Sequence, residues 1–335
     1  MRSIILACLV SCLIGSVHAR TWTDDRGRTV DAEILRIDGD DPVVSLRGKE
    51  VKLPAAKLSP ADHEFLDKWK LDHPVAPAAA ATPAATPPPA GLSLGDIAIV
   101  GGGKQNIIEK PFPADVIKDL KKQDGATTFK LAISIPAGFD PAKPMKVYVV
   151  STAVNNDAER TGGNIAKFNM YAGSCTAQGW VCMAVDTDKG FPSTEHAISA
   201  ACALLSKEWP GFAQGSFAVG GFSGGSKACF FNAAWLGKNK YNLAGAYLGG
   251  CNHDTSEEYR KELKTPNAAF RKMKVYVGTG KTDTIASPAA AEGVGKSLKD
   301  NGIRNVRVET HEGGHSMSGE QFVQALKWFA EADKA

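Results

Sequence analysis

The stretch that decides the reading is Ser216-Phe217-Ala218-Val219-Gly220-Gly221-Phe222-Ser223-Gly224-Gly225, followed by the apolar run Ser226–Leu236. Its first half is small or apolar throughout and reads as a buried strand. The run from Ser226 reads as a helix. Between them Gly221, Ser223 and Gly225 form a Gly-x-Ser-x-Gly pattern. A chain that passes from strand to helix this abruptly brings the flanking residues against both elements, and glycines two before and two after the serine remove the clash. The helix that starts beneath Ser223 favours negative charge developing at its amino end.

A serine hydroxyl is a poor nucleophile. It needs a base to take its proton, and the base needs an acid to orient it. Lys274–Gly280 reads as a later strand with Asp283 in the loop after it, and Val306–Thr310 as the next strand with His315 in a glycine-flanked loop beyond. Ser223, Asp283 and His315 therefore occur in the order, and at the strand ends, that such a triad requires. His311 competes with His315, and Asp254 in Cys251-Asn-His-Asp254 competes with Asp283. The bland readings are a solvated loop histidine for His311 and His253, and a helix cap for Asp254. An oxyanion hole completes the site. Its first donor is the backbone N–H of Gly224. Its second is expected from the loop after the Lys146–Val150 strand, through Thr152 or Ala153.

Outward from this core, strand-like runs lie at Phe129–Pro136, Lys146–Ala153, Trp180–Asp186, Ser216–Phe222, Leu243–Gly250, Met273–Gly280 and Val306–His311, with helical segments between the last six. A final helix spans Gly319–Asp333, with Ser318 and Gln321 as a capping pair. The alternation predicts an α/β fold, a parallel sheet with helices on both faces and a site at the carboxyl ends of the strands. With its elbow and ordered partners, the segment 93–335 resembles the α/β-hydrolase family, in the branch of secreted esterases and depolymerase-like enzymes. The resemblance implies hydrolysis of small or polymeric esters through an acyl-enzyme, without cofactor. The same triad can cut peptides, thioesters or lactones. One departure is that Ser151-Thr152-Ala153 replaces the His-Gly pair of many relatives. No long insertion follows Gly250, so an open cleft without a cap domain is expected.

Residues 72–92 form a Pro/Ala-rich linker. Pro74–Gly91 carries no charge and almost no large apolar side chain, so it favours an extended spacer over a core. Before it, 20–71 reads as a small β-barrel closed by a helix. Val30, Ala32 and Ile34 alternate on one strand, Val43–Leu46 and Val51–Leu53 make others, and Ser59-Pro60-Ala61-Asp62 starts a helix with Phe65, Leu66 and Trp69 on its apolar face. On Arg20-Thr-Trp-Thr-Asp24, Gly27-Arg28-Thr29 and Leu53–Ser59 this segment resembles the Sla-homology modules, small SH3-like domains. That resemblance implies a protein or peptide ligand for 20–71.

Residues 1–19 read as a secretory signal: Arg2, an apolar run from Ile4 to Val17, and Val17-His18-Ala19 as cleavage site. Export to periplasm or medium follows. Leu9-Val10-Ser11-Cys12 offers lipidation at Cys12 as an alternative. No second long apolar stretch predicts a transmembrane segment, and a formal net charge of +3 over 335 residues argues against nucleic acid as a partner. Beyond the leader, Cys175, Cys182, Cys202, Cys229 and Cys251 show no zinc spacing. They read as core residues with at most one or two disulfides. Asp186 and Asp188, two acids in one turn, read as solvated loop rather than a metal pair.

Overall fold

The computed structural model describes residues 20–38, 40–46, 49–72, 92–122, 125–152, 163–189 and 194–331. The expected leader with Cys12, and residues 73–91 of the expected linker, lie outside these. The chain falls into two compact units, Met1–Thr82 and Pro83–Ala335.

The first unit is an antiparallel meander of β1 (Arg20–Thr23), β2 (Thr29–Asp38), β3 (Asp41–Leu46) and β4 (Lys49–Lys52), followed by a 3-10 turn at Ala55–Lys57 and helix α1 (Pro60–Asp72). No ladder joins β1 to β4 among the described residues. An isolated bridge, Asp24 to Leu58, brings the chain back onto the first strand. Alternation along the strands turns Trp22, Ala32 and Val44 inward, where they meet Leu66 of α1. Trp22 satisfies its indole by donating to the Ala32 carbonyl at 3.0 Å.

Asp62 ties this unit together from a buried position. It accepts from the Arg20 guanidinium at 2.7 Å, the Thr23 amide at 2.8 Å and the Ser59 hydroxyl at 2.7 Å. Burial opposes its ionisation, but the Thr23 amide, the Ser59 hydroxyl and Arg20 outweigh that and hold its carboxyl below the ordinary carboxylate range.

The second unit opens with a short hairpin, β5 (Ser93–Leu94) and β6 (Ile97–Ala98). It continues through β7 (Asn106–Pro111), α2 (Ala114–Leu120), β8 (Thr128–Ser134), β9 (Lys146–Val150), α3 (Gly163–Ala166), α4 (Asn169–Ala177) and β10 (Val181–Thr187). Then come α5 (Thr194–Glu208), β11 (Ser216–Phe222), α6 (Gly224–Lys238), β12 (Asn242–Gly249), α7 (Ser256–Glu262), α8 (Asn267–Arg271), β13 (Lys274–Gly280), α9 (Pro288–Asp300), β14 (Asn305–His311) and α10 (Gly319–Ala330).

Eight of these strands form one sheet in the order β14-β13-β12-β11-β9-β10-β8-β7. The sheet is mixed rather than wholly parallel. Seven strands run in one direction, β7 among them, and β8 alone is reversed, antiparallel to both β7 and β10. Strand β7 had no counterpart in the sequence reading, because its side chains do not follow its burial: the polar Asn106 is buried and the apolar Ile107 is exposed.

Alternate side chains build two cores. On one face Val147, Val149, Phe217, Val219, Val275 and Val277 pack under α5, α6 and α9. On the other Tyr148, Ala218, Tyr247 and Tyr276 pack under α4 and α10. Helices on both faces, this strand order and the strand–serine–helix turn fit an α/β-hydrolase fold. Ser318 caps α10, its hydroxyl accepting from the Gln321 amide at 3.2 Å. Among the described residues no helix is long and apolar enough to cross a membrane.

The turn from β11 into α6 passes over the end of β9. A β-carbon on either Gly221 or Gly225 would overlap the Ser151 carbonyl oxygen. Gly225→Ala is therefore expected to cost about 1–3 kcal/mol through overpacking. Gly293→Ala meets nothing on the exposed face of α9 and should stabilise by up to about 1 kcal/mol. Thermal unfolding of the two variants checks the opposite signs. For the first unit, the stabilisation from Asp62 is fully present above its unfolded-state pKa and is lost as pH falls through the depressed folded value. Acid titration of the wild type beside Asp62→Ala, followed by Trp22 fluorescence, should show the two converging only at the acid end.

Candidate active site

Ser223 sits between β11 and α6 with φ 55° and ψ −119°, a left-handed backbone unusual for a residue with a side chain. The strain is held by bonds on both sides. Its N–H donates to the Gly249 carbonyl at 2.7 Å, and its own carbonyl accepts the Ser226 amide at 3.1 Å. The hydroxyl does not cap the helix it begins, so it is directed to another partner.

That partner is His315, whose Nε2 lies 2.9 Å from Ser223 Oγ, while its Nδ1 lies 2.8 Å from Asp283 Oδ2. Asp283 is buried. Its Oδ1 accepts the amides of Ile285 and Ala286, both at 2.8 Å, and the Thr279 hydroxyl is 3.4 Å from Oδ2. Burial pushes against its ionisation. The Ala286 amide, the His315 ring and the Ile285 amide prevail and hold the carboxyl below the ordinary range. A carboxylate can only accept, so His315 Nδ1 carries the hydrogen and Nε2 is left to accept from the serine hydroxyl. The structure thus brings Ser223, Asp283 and His315 together.

The loops that carry acid and base are laid on each other. A β-carbon on Gly280 would overlap the Gly313 and Gly314 carbonyl oxygens, and the Thr282 amide donates to the Gly313 carbonyl at 3.0 Å. Phe222, the residue before Ser223, packs its ring 4.8 Å from the His315 ring. Gly250, at φ 57°, has no room for a side chain between these two rings. The sequence reading did not single out either position. The variable place in Gly221-Phe222-Ser223 was the signal for the first.

The competitors have other partners. His311 Nδ1 lies 2.7 Å from the Glu312 carbonyl oxygen. Asp254 is structural, accepting from Ser256 N, Ser297 Oγ and Asn301 Nδ2 at 2.8–2.9 Å. His253 is exposed. Asp188 accepts from the Thr127 amide and hydroxyl, and no cluster of metal-binding side chains occurs among the described residues. Among the described residues, Cys175, Cys182, Cys202, Cys229 and Cys251 are buried free thiols.

Two readings need correction on the oxyanion side. Gly224 fits as donor, because it begins α6 and its N–H has no carbonyl to serve within the helix. The Thr152 N–H, however, donates to Asn164 Oδ1 at 2.8 Å, so its direction is set by that side chain. Ala153 lies outside the described residues. Asp186 is not solvated loop: it is 5% exposed, and its two oxygens accept the backbone amides of Asn164 and Ile165. Burial drives its carboxyl up to about 6 despite those amides.

No family model and no curated protein matches the sequence. Among solved structures, the chain is similar to Zea mays acyl-protein thioesterase 2, at 16% identity over 59% of this chain and 96% of that one, with a TM-score of 0.41. It is also similar to the apo form of Thermogutta terrifontis esterase 2, at 16% identity over 66% and 91%, TM-score 0.41. A ferulic acid esterase follows at 13% identity over 68% and 96%, TM-score 0.38.

Proposed function

We propose that this chain is an exported serine hydrolase that cleaves carboxylic esters through an acyl-enzyme. The observation that carries the reading is the unbroken run Asp283–His315–Ser223, with bonds of 2.8 and 2.9 Å, on a strained strand-to-helix turn. Ser223 Oγ attacks the acyl carbon as His315 Nε2 takes its proton. Asp283 holds the ring and balances the imidazolium. The Gly224 amide and the amino end of α6 face the oxyanion. His315 then returns the proton to the leaving alcohol, and water repeats the sequence on the acyl-enzyme. None of these steps calls for a cofactor.

Residues 1–19 would direct export, and 20–71 would serve as a Sla-homology module for a protein or peptide ligand. The meander with its packed helix supports such a module. The rival readings are a protein-binding chain with a silent hydrolase fold and a serine peptidase. The complete triad speaks against the first.

Purified protein should turn over short-chain nitrophenyl esters and label with a fluorophosphonate probe. Ser223→Ala should abolish labelling and lower kcat by roughly 10⁶-fold. A wild type that neither hydrolyses nor labels overturns the proposal, and cleavage of peptides alone moves it to the peptidase reading. Asp283→Asn keeps the shape but no longer fixes the tautomer of His315. It should lower kcat by about 10⁴-fold with the fold intact by circular dichroism. Wild-type kcat in that variant would remove Asp283 from the triad.

A further inference from the structure

A buried polar chain with no part in the triad runs behind the oxyanion side of the site. It begins at Asp186, near the end of β10, whose Oδ1 accepts the Asn164 amide at 3.0 Å and whose Oδ2 accepts the Ile165 amide at 2.8 Å. Gly163 precedes them at φ 41°, and a β-carbon there would overlap the Asp186 carboxylate. The first turn of α3 is therefore seated directly on the acid. Asn164, 2% exposed, is held in consequence with its side-chain amide between two backbone groups. Nδ2 donates to the Val185 carbonyl at 2.9 Å, and Oδ1 accepts the Thr152 N–H at 2.8 Å. Thr152 in turn lies against the elbow, where its Cα crowds the place a β-carbon on Gly225 would take.

We infer that Asn164, seated by Asp186, is a positioning residue that orients the Thr152 peptide and so sets the geometry of the oxyanion side of the site. This rests on the ester-hydrolase reading above. Three features favour that role over simple packing. The side chain joins two backbone groups, the Thr152 N–H and the Val185 carbonyl, and so bridges the ends of β9 and β10. It directs one particular peptide, the first after Ser151, whose carbonyl lies beneath Gly221 and Gly225. And the cost of burying an acid to seat it is one that an apolar side chain would avoid. Asn164 touches neither the nucleophile nor the base, so its effect belongs to the transition state rather than to substrate capture.

The test compares wild type with Asn164→Ala, Asn164→Asp and Asp186→Asn, using a nitrophenyl ester, active-site titration with a fluorophosphonate, and a trifluoromethyl ketone that binds as a tetrahedral oxyanion. The expected result for Asn164→Ala is a fall in kcat per titrated site of about 10²-fold, the scale of a mis-set donor at Gly224, whose turn the Thr152 Cα packs against. KM should stay within a few-fold, and the ketone should weaken in parallel with kcat. Asn164→Asp keeps an acceptor for Thr152 but loses the donor to the Val185 carbonyl and sets a second carboxylate beside Asp186, so it should do no better than Asn164→Ala. Asp186→Asn covers the case in which Asn164→Ala does not fold, and should show the same split. Unchanged kcat per site in the folded variants, or a rise in KM alone, overturns the inference while leaving the ester-hydrolase reading intact. A wild type that neither hydrolyses nor labels overturns both.

Discussion

The site depends on one close approach, that of the Ser151 carbonyl to the turn between β11 and α6. The Ser151 N–H donates to the Gly220 carbonyl at 2.8 Å, and its hydroxyl accepts Asn232 Nδ2 of α6 at 2.9 Å. The end of β9 is thereby locked both to the neighbouring strand and to the helix that follows the nucleophile. With the carbonyl so placed, neither Gly221 nor Gly225 can carry a side chain. The chain passes through in a conformation that leaves Ser223 at a positive φ with its hydroxyl turned away from its own helix. Strain at one residue is tolerated because packing on every side over-determines it.

The meeting of Ser223, Asp283 and His315 is then a matter of strand order. Ser223, Asp283 and His315 follow β11, β13 and β14, which lie with β12 at one end of the sheet. Each loop leaves a strand at its carboxyl end, so residues far apart in sequence converge on one rim. The electrostatics follow the same economy. Asp283 is buried yet remains a carboxylate, because two amides of its own loop and the histidine ring accept the task of water. Asp62, in the first unit, solves the same problem with an arginine, an amide and a hydroxyl.

The legible parts of the sequence were those whose physics is local. Long apolar runs such as Val147–Val150 and Phe217–Val219 could only be buried strands, and the glycines around Ser223 mark a turn that no other residue type permits. The order Ser223, Asp283, His315 with strands between them was visible for the same reason. Strand direction was not, because alternation of buried and exposed residues is the same in either sense, so the reversal of β8 stayed hidden. Asn164 and Asp186 escaped for another reason. Their partners are the backbone groups of Thr152, Val185 and Ile165, and no pattern of side chains records a bond to a distant peptide. A carboxylate at a strand end looks solvated until the fold covers it.

Strand β14 is the outermost of the sheet on the triad's side, and its residues are largely half-buried or exposed, in contrast to the wholly buried β13 beside it. His315 hangs from this marginal strand, whereas Ser223 is anchored in the interior. Local opening at the edge costs less than global unfolding. The contact between His315 and Ser223 and the integrity of the central sheet are therefore set by different parts of the molecule. Opening at this border would part His315 from Ser223 while the central strands stay packed.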